Sequence, residues 1–194
     1  MSVIVAIKEN GVVYMGADTQ STAGRTKVNH LCESDIKIIR YENGMLVGFC
    51  GSVPSKQFIL SQNDVFVLNS EGKIDKKHIV TEIIPRLMDM MPNIKREKDD
   101  DEMGVSILLA HKDKLYKITP KFCVVSLNTY GHSGAGECYA YWELYGRDDL
   151  PVREKLLKAL TVSAKWEETV GGPYILIDTK NLEYEIVDMG GENH

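Results

Sequence analysis

From the second residue onward apolar side chains alternate along the chain, with Val3, Val5 and Ile7 on one side of an extended segment and Ile4, Ala6 and Lys8 on the other. Glu9-Asn10-Gly11 interrupts the run before the alternation resumes. Asn-Gly between two such runs marks a hairpin, because both residues tolerate positive φ. Strands are therefore predicted over 2–9 and 12–17, and the pattern repeats over 36–41 and 45–50 around Glu42-Asn43-Gly44. Phe58, Ile59, Val65, Phe66 and Leu68 instead fit a helix over 54–68, closed by Ser70-Glu71-Gly72. A further helix over 78–91 is expected to kink at Pro85, which lacks a backbone N–H.

The charged run over 95–102 reads as a solvated connection with no chemistry of its own. Strands are predicted over 105–111, 114–118 and 122–126, followed by the glycine-rich turn GHSGAGE and a helix over 137–145. A helix over 152–168 and short strands over 173–178 and 184–187 complete the chain. Strands, helices, strands, helices, strands is the order of an α+β domain whose helices cover sheet faces, and one domain over 1–194 is expected.

Composition narrows the partners. The 28 acidic against 23 basic residues give a formal charge of −5, which speaks against an electrostatic footprint for nucleic acid or for acidic membranes. No charged-then-apolar leader precedes the first strand and no apolar run nears membrane-spanning length, so the cytoplasm is the expected compartment. Cys32, Cys50, Cys123 and Cys138 show no CxxC spacing and read as reduced structural thiols, three of them in apolar surroundings.

The usual constellations are missing. His30, His78, His111, His132 and His194 are scattered, GHSGAGE lacks the P-loop lysine and is not GxSxG, and no metal or cofactor is expected. What remains is the start of the chain. If Met1 were removed, Ser2 would carry a hydroxyl and a free α-amine, a nucleophile and its base in one residue. An α-amine titrates near about 8, close enough to neutrality to accept the hydroxyl proton, and a neighbouring lysine would lower it further. Read alone, a serine after Met1 is an ordinary terminal residue, and Asp18, Lys37 and Gly51 are equally a strand-end aspartate, an outward lysine and a loop glycine.

Three stretches change that weighting: VVYMGADTQSTAG, SDIKIIRYENGMLVGFCGS and YGHSGAGECYAYWELY. They resemble the proteasome β-subunit and the related bacterial HslV peptidase, members of the N-terminal nucleophile hydrolases, through most of the chain. The resemblance implies a four-layer αββα sandwich. It puts Ser2 at the nucleophile, Asp18 at the acidic partner, Lys37 at the catalytic lysine and Gly51 at the glycine whose N–H donates to the oxyanion. It also puts Thr22 at the substrate-aligning threonine, and Ser21, Phe49 and Val53 around the pocket for the side chain preceding the cut. Where the family has threonine as nucleophile this chain has serine, and where the family has a serine that bonds the terminal amine it has Ala135, with Ser133 two residues earlier. The aspartate that the family carries before its Ser-Gly-Gly segment corresponds to Glu168, with Thr169 beside it.

The resemblance implies hydrolysis of peptides or unfolded proteins inside a homo-oligomeric ring, fed by an ATP-dependent unfoldase. Two other readings keep the fold: a non-catalytic structural subunit in which Met1 stays and blocks the amine, and an amide hydrolase acting on small molecules.

Overall fold

The computed structural model describes residues 2–23, 26–29, 31–32, 35–62, 64–94, 102–146 and 149–188. The alternating N-terminal stretch forms β1 (Val3–Glu9), and the Asn10-Gly11 turn returns it as β2 (Val12–Asp18). A short ribbon follows, β3 (Gln20–Ala23) against β4 (Thr26–Asn29). The second hairpin is β5 (Ile38–Arg40) and β6 (Leu46–Gly51). Then come α1 (Val53–Leu60), α2 (Lys76–His78), a π-helical turn (Ile79–Ile83) and α3 (Ile84–Ile94). The remaining elements are β7 (Val105–His111), β8 (Lys114–Ile118), β9 (Val124–Ser126), β10 (Tyr130–Gly134), α4 (Glu137–Gly146), α5 (Val152–Trp166), β11 (Tyr174–Asp178) and β12 (Glu185–Val187).

Two antiparallel sheets face each other, ordered β10-β1-β2-β11-β12 and β5-β6-β7-β8-β9. The period of two explains why β1 is apolar on both sides. Val3, Val5 and Ile7 pack against Ala140, Leu144, Leu156 and Leu160 of α4 and α5, whereas Ile4 and Ala6 meet Leu46, Leu108 and Ala110 of the other sheet. A third apolar layer joins Val47, Phe49, Ile107 and Leu109 to Ile59, Ile79, Ile83 and Leu87 of the remaining helices. Each fully buried Leu or Ile contributes about 1.5–3 kcal/mol relative to exposure. The layers run helix, sheet, sheet, helix, the αββα order expected.

Several elements depart from their predicted form. The helix expected over 54–68 stops at Leu60, where Ser61 closes the last turn by donating its hydroxyl to the Phe58 carbonyl. Val65 and Phe66 enter the core from an irregular segment, where Phe66 meets Tyr41 and Phe49 edge-on. The kink expected at Pro85 takes the form of the π turn, in which the Ile84 N–H reaches the Ile79 carbonyl five residues back, just ahead of the residue that has no donor. Strand β9 begins two residues later than expected, because Phe122 sits at φ 61 in a turn closed onto Thr119. All of GHSG belongs to the strand β10 rather than to a turn. Of the cysteines read as packed thiols, only Cys50 is buried. The charged run lies outside the described residues apart from Glu102.

Candidate active site

Ser2 immediately precedes β1 and is 7% exposed. Asp18 ends β2, and its carboxylate accepts from the Val3 N–H at 2.9 Å and from the Gly171 N–H at 3.4 Å. Lys37 lies one residue ahead of β5. Its Nζ reaches Asp18 Oδ1 at 2.6 Å and donates to the Gln20 carbonyl, also at 2.6 Å. Both side chains are buried. Burial pushes the Asp18 carboxyl above its ordinary value, opposed by the Lys37 ammonium and by the Val3 and Gly171 N–H groups. A pair this enclosed holds its geometry because each partner would be left uncompensated without the other.

Gly51 ends β6 at φ 131, a backbone that side chains rarely adopt, and a Cβ there would strike the Gly104 carbonyl. A cavity of about 230 Å³ opens beside Ser2, lined by Ser21, Lys37, Phe49, Gly51 and Val53 among others. A second, of about 170 Å³, shares Ser2 and Gly51 and adds Cys50, Gly134 and Ala135. Gly134, at φ 105, lets the chain pass so close to Ser2 that a Cβ would strike the Ser2 carbonyl. Burial pushes the Cys50 thiol up to about 12, which leaves it a packing group rather than a nucleophile.

The structure thus brings Ser2, Ser21, Lys37, Phe49, Gly51 and Val53 to one cavity, with Asp18 behind Lys37. Ala135 lies beside Ser2 in the smaller one. Ser133 is not part of either: it pairs with Ile4 across β10 and β1, and its buried hydroxyl has no hydrogen-bond partner among the described residues. Glu168 is exposed, and among the described residues it reaches the site through its carbonyl, which accepts from Gln20 Nε2 at 2.9 Å. Thr169 turns to Glu167, donating its hydroxyl to that carboxylate at 2.6 Å. Thr22 stands in β3 with its hydroxyl buried and without a hydrogen-bond partner among the described residues.

Sequence reasoning missed three contributors. Gly171 donates to Asp18 and accepts from the Thr19 and Gln20 N–H groups, both at 3.3 Å. Gln20 supplies a carbonyl to Lys37. Lys56, on α1, is buried at the cavity wall. The first two act mainly through backbone, which leaves no mark on residue type. The third looks like any solvent-facing lysine until the helix is placed.

Among the described residues no group of histidine, cysteine and acidic side chains could hold a metal, and no helix is long and apolar enough to cross a membrane. The two facing antiparallel sheets with flanking helices are the proteasome-like N-terminal nucleophile hydrolase fold. The family model described as proteasome subunit matches residues 2–167, and the chain belongs to that family. Among solved structures it is similar to BPH of Thiobacillus denitrificans in complex with epoxomicin, at 17% identity and TM-score 0.73 over 91% of this chain and 97% of that one. It is similar to the Gly-1 mutant of Anbu from Hyphomicrobium sp. strain MC1, at 13% identity and TM-score 0.75 over 99% and 89%. Eukaryotic HslV from Trypanosoma brucei matches at 14% identity and TM-score 0.64 over 91% and 98%. At these identities the likeness concerns the fold alone. No curated protein matches the sequence.

Proposed function

We propose that this protein is a proteasome-like peptidase that uses Ser2 as an N-terminal nucleophile after Met1 is removed. Support comes above all from the buried Lys37–Asp18 pair opening onto the cavity that Ser2 and Gly51 line. In this reading the Ser2 hydroxyl attacks the peptide carbonyl as its proton passes to the α-amine, and the Gly51 N–H stabilises the oxyanion. Lys37 holds positive charge beside the developing alkoxide, and Asp18 holds Lys37. The C–N bond then breaks with the proton delivered to the leaving amine. Water hydrolyses the Ser2 ester, releasing the acid and restoring the hydroxyl.

Serine is small enough for the general methionine-removing enzyme to expose it. Intact-mass measurement combined with a fluorogenic-peptide assay tests the mechanism on chains with and without Met1. The trimmed chain should cleave, with a rate that rises with pH as the amine, lowered by Lys37 from about 8, loses its proton. Equal cleavage by the Met1-bearing chain would exclude an N-terminal nucleophile.

A non-catalytic subunit is the second reading, favoured by one observation: the small cavity beside Ser2 presents the methyl of Ala135, which offers an amine no hydrogen bond. Absence of cleavage by either chain would set the peptidase reading aside in favour of this one, unless small-molecule amides are turned over. We infer further that copies close into a ring, because heterologous contacts terminate only by closure, with an ATP-dependent unfoldase as partner. Val80 and Met88, exposed on the helical run that follows His78, give apolar contact surface, as do Tyr141, Trp142 and Tyr145 on α4. Light scattering at micromolar concentration should give a mass several times that of the 21.8 kDa chain, and a monomer would count against assembly.

A further inference from the structure

Lys56 is 9% exposed, and its ammonium has no carboxylate within ion-pair distance among the described residues. Its Nζ donates to two consecutive backbone carbonyls, Asp35 at 2.9 Å and Ile36 at 2.6 Å. These are the two residues directly ahead of Lys37. The same two residues donate their N–H groups to the Cys32 carbonyl, at 2.8 and 3.1 Å. Beyond them, Lys37 is fixed by its own carbonyl, which accepts from the Phe49 N–H at 2.8 Å. Lys56 also lines the cavity that holds Ser2 and Lys37.

We propose that Lys56 is a positioning residue for Lys37, clamping the backbone of residues 35 and 36 so that the Lys37 ammonium enters the site at Asp18 and faces Ser2. The proposal rests on the reading of Ser2 as nucleophile for its effect on turnover, but not for the clamp itself. A buried ammonium bonded to carbonyls is a costly way to fix a turn, and a neutral donor would do so with less desolvation. A cation placed here has a second effect, since its charge adds to that of Lys37 beside the nucleophile. Burial pushes the Lys56 amine down to about 8, with Asp35 favouring its charge and Lys37 opposing it. The charged groups facing it are therefore Asp35 on the same segment and Lys37, with Asp18 behind Lys37.

The test compares wild type, K56M and K56R in the trimmed chain, with Ser2→Ala as the blank. K56M should lower kcat by about 10²-fold, the loss associated with a misplacement of about 1 Å, with KM little changed. K56R, which keeps the charge and the donors, should recover most of it. Independently of turnover, the Lys37 side-chain ammonium signal, followed by NMR in lysine-labelled protein, should move in K56M, because the segment that sets its place against Asp18 is released, and should return in K56R. An unchanged kcat together with an unmoved Lys37 signal overturns the proposal, as does a loss of activity that only tracks the folded fraction. If wild type turns over no faster than Ser2→Ala, the nucleophile reading fails, and the Lys37 signal alone decides the clamp. Should K56M not fold, K56Q is read against the same two outcomes.

Discussion

Lys37→Ala should lower kcat/KM on a fluorogenic peptide by about 10⁴-fold, the scale on which members of one catalytic unit fail, and should destabilise the chain by about 3–5 kcal/mol. The two losses have different origins. In the proposed mechanism turnover falls because no positive charge then stands beside the Ser2 hydroxyl. Stability falls because Asp18, with its side chain fully buried, keeps two backbone donors and loses its counter-charge. The double variant Lys37→Met with Asp18→Asn separates them: it removes both charges while nearly keeping shape, so urea denaturation should show most of the stability restored while turnover stays absent. Activity returning with stability would mean that the pair supports the fold and not the reaction.

Gly51→Ala should be nearly as severe for a different reason. The residue is held at φ 131 with the Gly104 carbonyl where a Cβ would go, so the strand end must move or strain. Backbone strain of this kind costs about 1–3 kcal/mol. Gly51 borders both cavities beside Ser2, and if its N–H is the proposed oxyanion donor, displacing it should cost about 10²–10³ in kcat. Steady-state kinetics and urea midpoints on the same preparation check both expectations. A stable variant with unaltered kcat would remove Gly51 from the machinery.

The strands were legible where the period of two was uninterrupted, as in β1, β2 and β7, since burial on both faces leaves near-continuous apolar runs. The ribbon of β3 and β4 was not, because Gln20, Ser21, Thr22 and Thr26 carry no apolar alternation and its pairing is local. Val65 and Phe66 imitated a helical spacing that an irregular plug satisfies equally well. In the site, Asp18 and Lys37 were named through the resemblance to the proteasome β-subunit, since read alone each is an ordinary charged residue near a strand end, and their juxtaposition across 19 residues is visible only once the sheets face each other. Gly171 and Gln20 contribute backbone atoms, which every residue has. Lys56 shows the converse, a familiar surface residue turned inward by the placement of α1.

Strand β1, which leads directly out of Ser2, is laddered on both sides, to β10 and to β2, and the Val3 amide is held by Asp18 itself. Chain ends commonly open on their own and exchange amide hydrogens quickly. Here no small opening can release the strand, since freeing it breaks two ladders and uncovers the layer between the sheets. The amides of β1 should therefore exchange as slowly as those of the core strands, which hydrogen exchange read by mass spectrometry checks. Warming short of the melting transition should leave this corner as ordered as the core, so that any activity at Ser2 would be lost together with the fold and not before it.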